Sequence, residues 1–233
     1  MTDAIFAIGD IHGRLDLLDP LLLNIFSSPL YTSQSRIVFL GDYVDRGPFS
    51  AGVIDRLIEL PKKGVDRICL AGNHDLWFLH FIEDPIGETN WLQWGGVETA
   101  ASYGVQAGGP IDSGAFRRAV RDQLAKKVPQ SHLDFIRSLP AHHVALNTLF
   151  VHAGVKPGVA LDDQKIEDLT YIRGEFLNDR RPHEYFVVHG HTPVMEPDFR
   201  DNRANIDTGA YATNMLSCLI VTADGRQVLQ RSP

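Results

Sequence analysis

Cysteine is scarce: two in 233 residues, too few to staple a fold of this size. Each lies in an apolar run, Arg67-Ile68-Cys69-Leu70 and Leu216-Ser217-Cys218-Leu219-Ile220. Two buried, reduced thiols are expected, as suits a reducing compartment. A basic excess is also missing. Lys and Arg total 22 against 29 Asp and Glu, a net charge of −7, which excludes a nucleic-acid binder relying on a broad basic face but leaves room for a local cationic pocket. No apolar run approaches the ~18 residues of a membrane span. The longest apolar-rich stretch, 15–26, is broken by Asp16, Asp19, Pro20 and Asn24. Met1-Thr2-Asp3-Ala4 lacks the cationic start of a leader. The expectation is a cytoplasmic protein with neither nucleic acid nor membrane as partner. A composition of 44% hydrophobic and 22% charged residues excludes a disordered chain, a fibrous repeat and a coiled coil.

What is present is an alternation of short apolar runs with helical patterns, which predicts an α/β fold. Strands are expected at 4–8, 36–40, 66–70, 149–151, 185–188, 205–206 and 215–221, with a short one at 227–229. Helices are expected at 14–27, where Pro20 signals a kink or a late start, at about 48–60, and from about 74. The segment of about 84–140 reads as mostly helical and insertion-like, within one domain spanning 1–233. Trp91 and Trp94, three apart there, read either as a core-facing stripe or as a cover over a substrate groove.

Five of these strands end in polar, glycine-flanked turns: Gly9-Asp10-Ile11-His12-Gly13, Gly41-Asp42-Tyr43-Val44-Asp45-Arg46-Gly47, Gly72-Asn73-His74-Asp75, His152-Ala153-Gly154 and His189-Gly190-His191-Thr192. Open α/β sheets bind ligands beyond the carboxyl ends of strands, so the turns can converge. Asp10, His12, Asp42, Asn73, His152 and His191 then form an oxygen-and-nitrogen set without thiolate, which suits hard or borderline divalent ions better than a structural zinc. A carboxylate can bridge two such ions, and a metal pair can hold the attacking and departing oxygens of a phosphoryl transfer. Arg46 matches a phosphate in bidentate fashion. Each turn alone is unremarkable surface polarity; five in series after strands are not.

These motifs resemble the phosphoprotein phosphatase branch of the calcineurin-like metallophosphoesterases, above all its bacterial and phage serine/threonine protein phosphatases. The resemblance runs from Gly9 to Thr192, and its seven-residue second element is the most specific. It implies a four-layer α-β-β-α sandwich of two mixed sheets flanked by helices. It implies Asp10 and His12 on one metal, Asp42 bridging, and Asn73, His152 and His191 on the second. His191 is preferred to His189 because it directly follows Gly190. His74 resembles the general acid and Asp45 the partner that keeps its imidazole charged and oriented. Arg46 and Arg173 resemble phosphate clamps, so Arg46, Arg173, Asn73 and His74 would touch substrate. The implied cofactors are two divalent ions, manganese first, with iron, zinc, cobalt or nickel as alternatives. The implied reaction is in-line attack of a water activated between them on a phosphomonoester, with a phosphorylated protein or a small phosphoester as the substrate.

Departures from the pattern are small: Gly-Asn-His-Asp for the Glu form and His-Ala-Gly for His-Gly-Gly. Bacterial diadenosine-tetraphosphate hydrolases of this branch typically carry Ala where Asp45 stands, so Asp45 tilts the expectation toward phosphoserine or phosphothreonine in proteins. A dinucleoside polyphosphate hydrolase, a broad phosphoesterase and a non-catalytic scaffold are the alternatives. Asp207 is a candidate neighbour of the site rather than a ligand.

Overall fold

A computed structural model describes residues 4–88 and 90–231. Its centre is β1 (Ala4–Ile8), an apolar pentapeptide buried on both faces. Strand side chains alternate, so Ile5 and Ala7 enter one apolar cluster while Ala4, Phe6 and Ile8 enter another. β2 (Arg36–Phe39) and β3 (Arg67–Cys69) extend the sheet in parallel on one side of β1. On the other side β9 (Leu216–Thr222) and β10 (Arg226–Arg231) pair antiparallel, giving the order β10-β9-β1-β2-β3.

The second sheet has the order β4-β5-β6-β8-β7. β5 (Thr148–Val151), β6 (Phe186–His189) and β8 (Arg203–Asn205) run parallel; β4 (His142–Ala145) and β7 (Asp198–Phe199) are antiparallel edges. The two edges were not expected from the sequence, because β7 is only two residues long and β4 alternates too little to read as a strand. The sheets meet through Ile5, Ala7, Val38, Leu40 and Leu219 on one side and Phe150, Val188, Ala204 and Ile206 on the other. Helices cover both outer faces, which gives the four-layer α/β sandwich.

Helix α1 (Leu15–Phe26) runs through Pro20 and does not start late. Burial of Leu17, Leu18, Leu21, Leu22 and Ile25 outweighs the backbone hydrogen bond that the proline removes. α2 (Ser50–Glu59) and α3 (Asn73–Glu83) join it on that face. The stretch after α3 is helical as expected, with a 3₁₀ turn at Trp91–Trp94, α4 (Gly96–Ser102), α5 (Gly114–Lys127) and α6 (Gln130–Arg137). It packs into the same apolar cluster as α1 and β1, through Trp91, Ala100, Val120, Leu124 and Leu133. The outer face of the second sheet is closed by α7 (Ile166–Tyr171) and α8 (Gly174–Leu177), where Leu169 and Phe176 meet Leu149, Val151 and Val187. No helix among the described residues is long and apolar enough to cross a membrane. Cys69 and Cys218 are buried and unpaired, and burial pushes the Cys69 thiol up to about 12, so neither is a nucleophile.

Candidate metal centre

Within each sheet the parallel strands point their carboxyl ends the same way, and the five polar turns follow β1, β2, β3, β5 and β6. Backbone hydrogen bonds knit these turns together. The N–H groups of Ile11 and His12 donate to the Asp42 carbonyl at 3.2 and 2.8 Å, and Gly190 N–H donates to the His152 carbonyl at 2.8 Å. His191 N–H donates to the Asp10 carboxylate at 3.1 Å. Asp75 joins the second and third turns: its carboxylate accepts from the N–H groups of Asp42 (2.8 Å), Tyr43 (2.9 Å) and Gly72 (3.0 Å). The last bond is half of a capping box, since Asp75 is the third residue of α3. Sequence reasoning missed this brace; an acid three residues after the helix-capping glycine is the signal that could have found it.

The network holds a strained backbone. His12, Asp42, Asp45, Arg46 and His191 all have φ between 48° and 73°. For side chains of this kind that conformation costs on the order of 1–3 kcal/mol each, and it persists only where the surroundings impose it. Close approach also demands glycine: a Cβ on Gly190 would collide with the Asp10 carboxylate, and one on Gly72 with Asp42.

All six expected ligands come together at the floor of the site, each at most 6% exposed. His12 Nδ1–H donates to the Val44 carbonyl at 2.8 Å, and His152 Nδ1–H donates to the Leu40 carbonyl at 2.9 Å. Burial drives the His12 imidazole down to about 3 and lowers that of His152, so both rings are neutral. Their Nε2 lone pairs therefore face inward. His12 Nε2 lies 3.4 Å from Asp42 Oδ2; His152 Nε2 lies 3.4 Å from Asp42 Oδ1 and 3.0 Å from Asn73 Oδ1. Lone pairs facing carboxylate and amide oxygens repel unless a cation lies among them. Neutral imidazoles fixed through Nδ1 by backbone carbonyls are the usual form of metal-ligating histidine.

The donor set thus fits divalent ions in two groups. One comprises Asp42, His152 and His191; the other His12, Asp42 and His74, with donor atoms within 4.8 Å of one another in each. Asp42 belongs to both, as a bridging ligand must. Asp10 lies close by: burial, Asp207 and Asp42 together raise its carboxyl well above the ordinary range. Asp207 is itself pushed up to about 6 by burial. His191 is pushed down to about 2 by burial and the neighbouring His152.

His74 is engaged on both nitrogens. Nδ1 lies 2.7 Å from Asp45 Oδ2, and Nε2 lies 3.0 Å from Arg46 Nη2. That leaves it better placed to move a proton than to ligate an ion. Asp45 is fully buried and also accepts from Trp91 Nε1–H at 3.0 Å and Thr99 Oγ1–H at 2.7 Å. Neither supporting residue was singled out for this role, because both lie about fifty residues from Asp45 with no motif around them. The two tryptophans part company: Trp91 is 0% and Trp94 54% exposed, so they do not form one core stripe. Arg46 reaches over the Tyr211 ring at 4.4 Å, and the exposed Arg173 lies within electrostatic reach of His152, His191 and Asp207. His189 is buried with Nδ1 against the Gly190 carbonyl and stays behind the site.

Such a site on such a fold defines a metal-dependent phosphoesterase. The sequence profile of the calcineurin-like phosphoesterases matches residues 4–215, and the chain belongs to that family. It is 29% identical over 233 aligned residues to a bis(5'-nucleosyl)-tetraphosphatase PrpE [asymmetrical] from Bacillus thuringiensis (strain Al Hakam), covering 91% of this chain and 88% of the relative. The Bacillus mycoides (strain KBAB4) protein of the same name is 26% identical, with 87% and 84% covered. Among solved structures, one described provisionally as a diadenosine tetraphosphatase matches with a TM-score of 0.69 at 21% identity, covering 99% of this chain and 94% of that one. A protein serine/threonine phosphatase from Saccharomyces cerevisiae matches at 0.56 and 15%, covering 100% and 80%; these two matches speak for the fold alone.

Proposed function

We propose that this chain hydrolyses dinucleoside tetraphosphates asymmetrically, using Asp10, His12, Asp42, Asn73, His152 and His191 to hold two divalent ions. The inward-facing lone pairs of His12 and His152 around Asp42 and Asn73 carry the dimetal part. The names of the relatives that span most of the chain carry the substrate part. The Asp45-based tilt toward phosphoproteins weighs less than those names. Two bound cations, with manganese the first to test, would supply an activated water and neutralise phosphoryl charge.

The chain's own residues do the rest. Arg46 and Arg173 bind the equatorial oxygens of the attacked phosphorus, which orients it for in-line displacement. Water adds to phosphorus, giving up its proton to bulk solvent, as the bridging P–O bond breaks. The electron pair leaves with the nucleotide oxygen, and His74 Nε2 supplies a proton to it. Asp45, held by Trp91 and Thr99, keeps the imidazole aimed.

One observation favours a second reading, the phosphoserine or phosphothreonine phosphatase. The 2.7 Å contact between His74 and Asp45 builds a proton donor, and an alkoxide needs one more than a departing phosphate does. Comparing kcat/KM for diadenosine tetraphosphate with that for phosphoserine and phosphothreonine peptides, with manganese supplied, separates the two. The proposal expects the dinucleoside tetraphosphate to win and to yield one nucleoside monophosphate and one nucleoside triphosphate. Preference for the peptides, or cleavage into two nucleoside diphosphates, contradicts it.

A further inference from the structure

The rim of the site is aromatic on the His74 side. The Trp77 ring lies 4.8 Å from the His74 ring, 6.4 Å from Trp94 and 5.9 Å from Tyr171, and Tyr171 lies 6.5 Å from His191. Trp94 is 54% exposed, an unusual state for the largest side chain when its neighbour Trp91 is fully covered. Rigid structure holds it there. Gly95, in the left-handed region at φ 113°, accepts a hydrogen bond from Arg46 N–H at 3.2 Å. The backbone that carries Trp94 is therefore bonded to the residue that clamps phosphate. Asp45 fixes the other end of the same turn through Trp91.

We infer that Trp94, backed by Trp77 and Tyr171, is the stacking platform for a nucleobase of the substrate. A phosphate at Arg46 and His74 then has its own nucleoside beside it, with the base against the open indole face. Aromatic faces hold purines by stacking with little dependence on base identity. Arg46 and Arg173 provide the cationic border that a polyphosphate chain requires next to such a platform. This subsite rests on the dinucleotide reading above and names the residues that make the substrate a nucleotide rather than any phosphoester.

The test compares AMP with ribose 5-phosphate as competitive inhibitors of para-nitrophenyl phosphate hydrolysis by the manganese-loaded full chain. The two differ only in the base. In the wild type AMP binds roughly tenfold or more tighter than ribose 5-phosphate. Trp94→Ala brings the ratio of the two constants toward one, and Trp94→Phe, which keeps a ring, restores most of it. Equal constants in the wild type, or an advantage for AMP that Trp94→Ala leaves intact, overturns the platform. Turnover of diadenosine tetraphosphate is measured alongside. Absent turnover with the AMP advantage intact sinks the dinucleotide reading and leaves the base subsite standing. Good turnover with no AMP advantage does the reverse.

Discussion

Arg46 Nη2 sits 3.0 Å from His74 Nε2, on the side of the imidazole opposite Asp45. The guanidinium donates there, so Nε2 accepts in this structure. Under the proposed mechanism, a phosphate that drew Arg46 to its own oxygens would free Nε2 to carry the proton, and substrate binding and arming of the acid would be linked through this one contact.

The acid role predicts a dependence on leaving group. General acid catalysis is worth ~10²–10⁴-fold when the departing oxygen is basic. His74→Asn is expected to lose that much on alkyl phosphates and far less on aryl phosphates or phosphoanhydrides, with metal content near normal. Steady-state rates on the three classes check it; an equal loss on all of them removes the acid role.

Trp91 and Thr99 make a prediction that a purely structural role does not share. Trp91→Phe leaves the buried Asp45 carboxylate one donor short, at a cost of about 1–3 kcal/mol. Stability falls accordingly, and kcat falls on alkyl phosphates more than on aryl phosphates, following His74. A variant that loses stability but keeps the wild-type leaving-group profile shows that the Asp45 brace does not reach the proton donor.

Asp42 touches both ligand groups, so Asp42→Asn is expected to lose metal and activity together. Metal analysis of purified protein checks this. A variant that retains two ions per chain and full rate excludes the bridge.

The metal-free protein has a predictable pH dependence. In the fold, burial pushes the Asp207 carboxyl up to about 6, and burial, Asp207 and Asp42 raise that of Asp10. Unfolded, both return to about 3.9. Through these two carboxyls the folded chain binds more protons over that interval, and their contribution to stability declines as pH rises from about 4 to about 6. His12 and His191, held down to about 3 and about 2 in the fold, act in the opposite sense, so the carboxyl part is read as a difference between variants. With chelator present, the Tm of Asp207→Asn relative to wild type is expected to climb over that range, and manganese to shrink the gap at neutral pH. A difference that stays level or shrinks as pH rises contradicts the crowding of carboxylates.

Much of this was legible in the sequence because β1 and the turns after it are short-range features. Ala4–Ile8 is apolar throughout, and the glycines beside Asp10, Asp42, Asn73, His152 and His191 mark turns where bulk is forbidden. What could not be read depends on distant segments meeting. Asp45 is held by Trp91 and Thr99, and Tyr211 meets Arg46 across 165 residues of chain, with no local pattern announcing either pairing. The outward turn of Trp94 is of the same kind. Spacing placed it beside Trp91, but only the packing of Trp91 into the core and of Gly95 against Arg46 sends it to the rim.

The central claim is that loops from residue 10 to residue 191 close around a pair of cations. Anomalous diffraction from crystals soaked in manganese tests it most directly. Two peaks are expected on either side of Asp42, one beside Asp10 and His12, the other beside Asn73, His152 and His191. A single peak, or manganese bound away from Asp42, would contradict it.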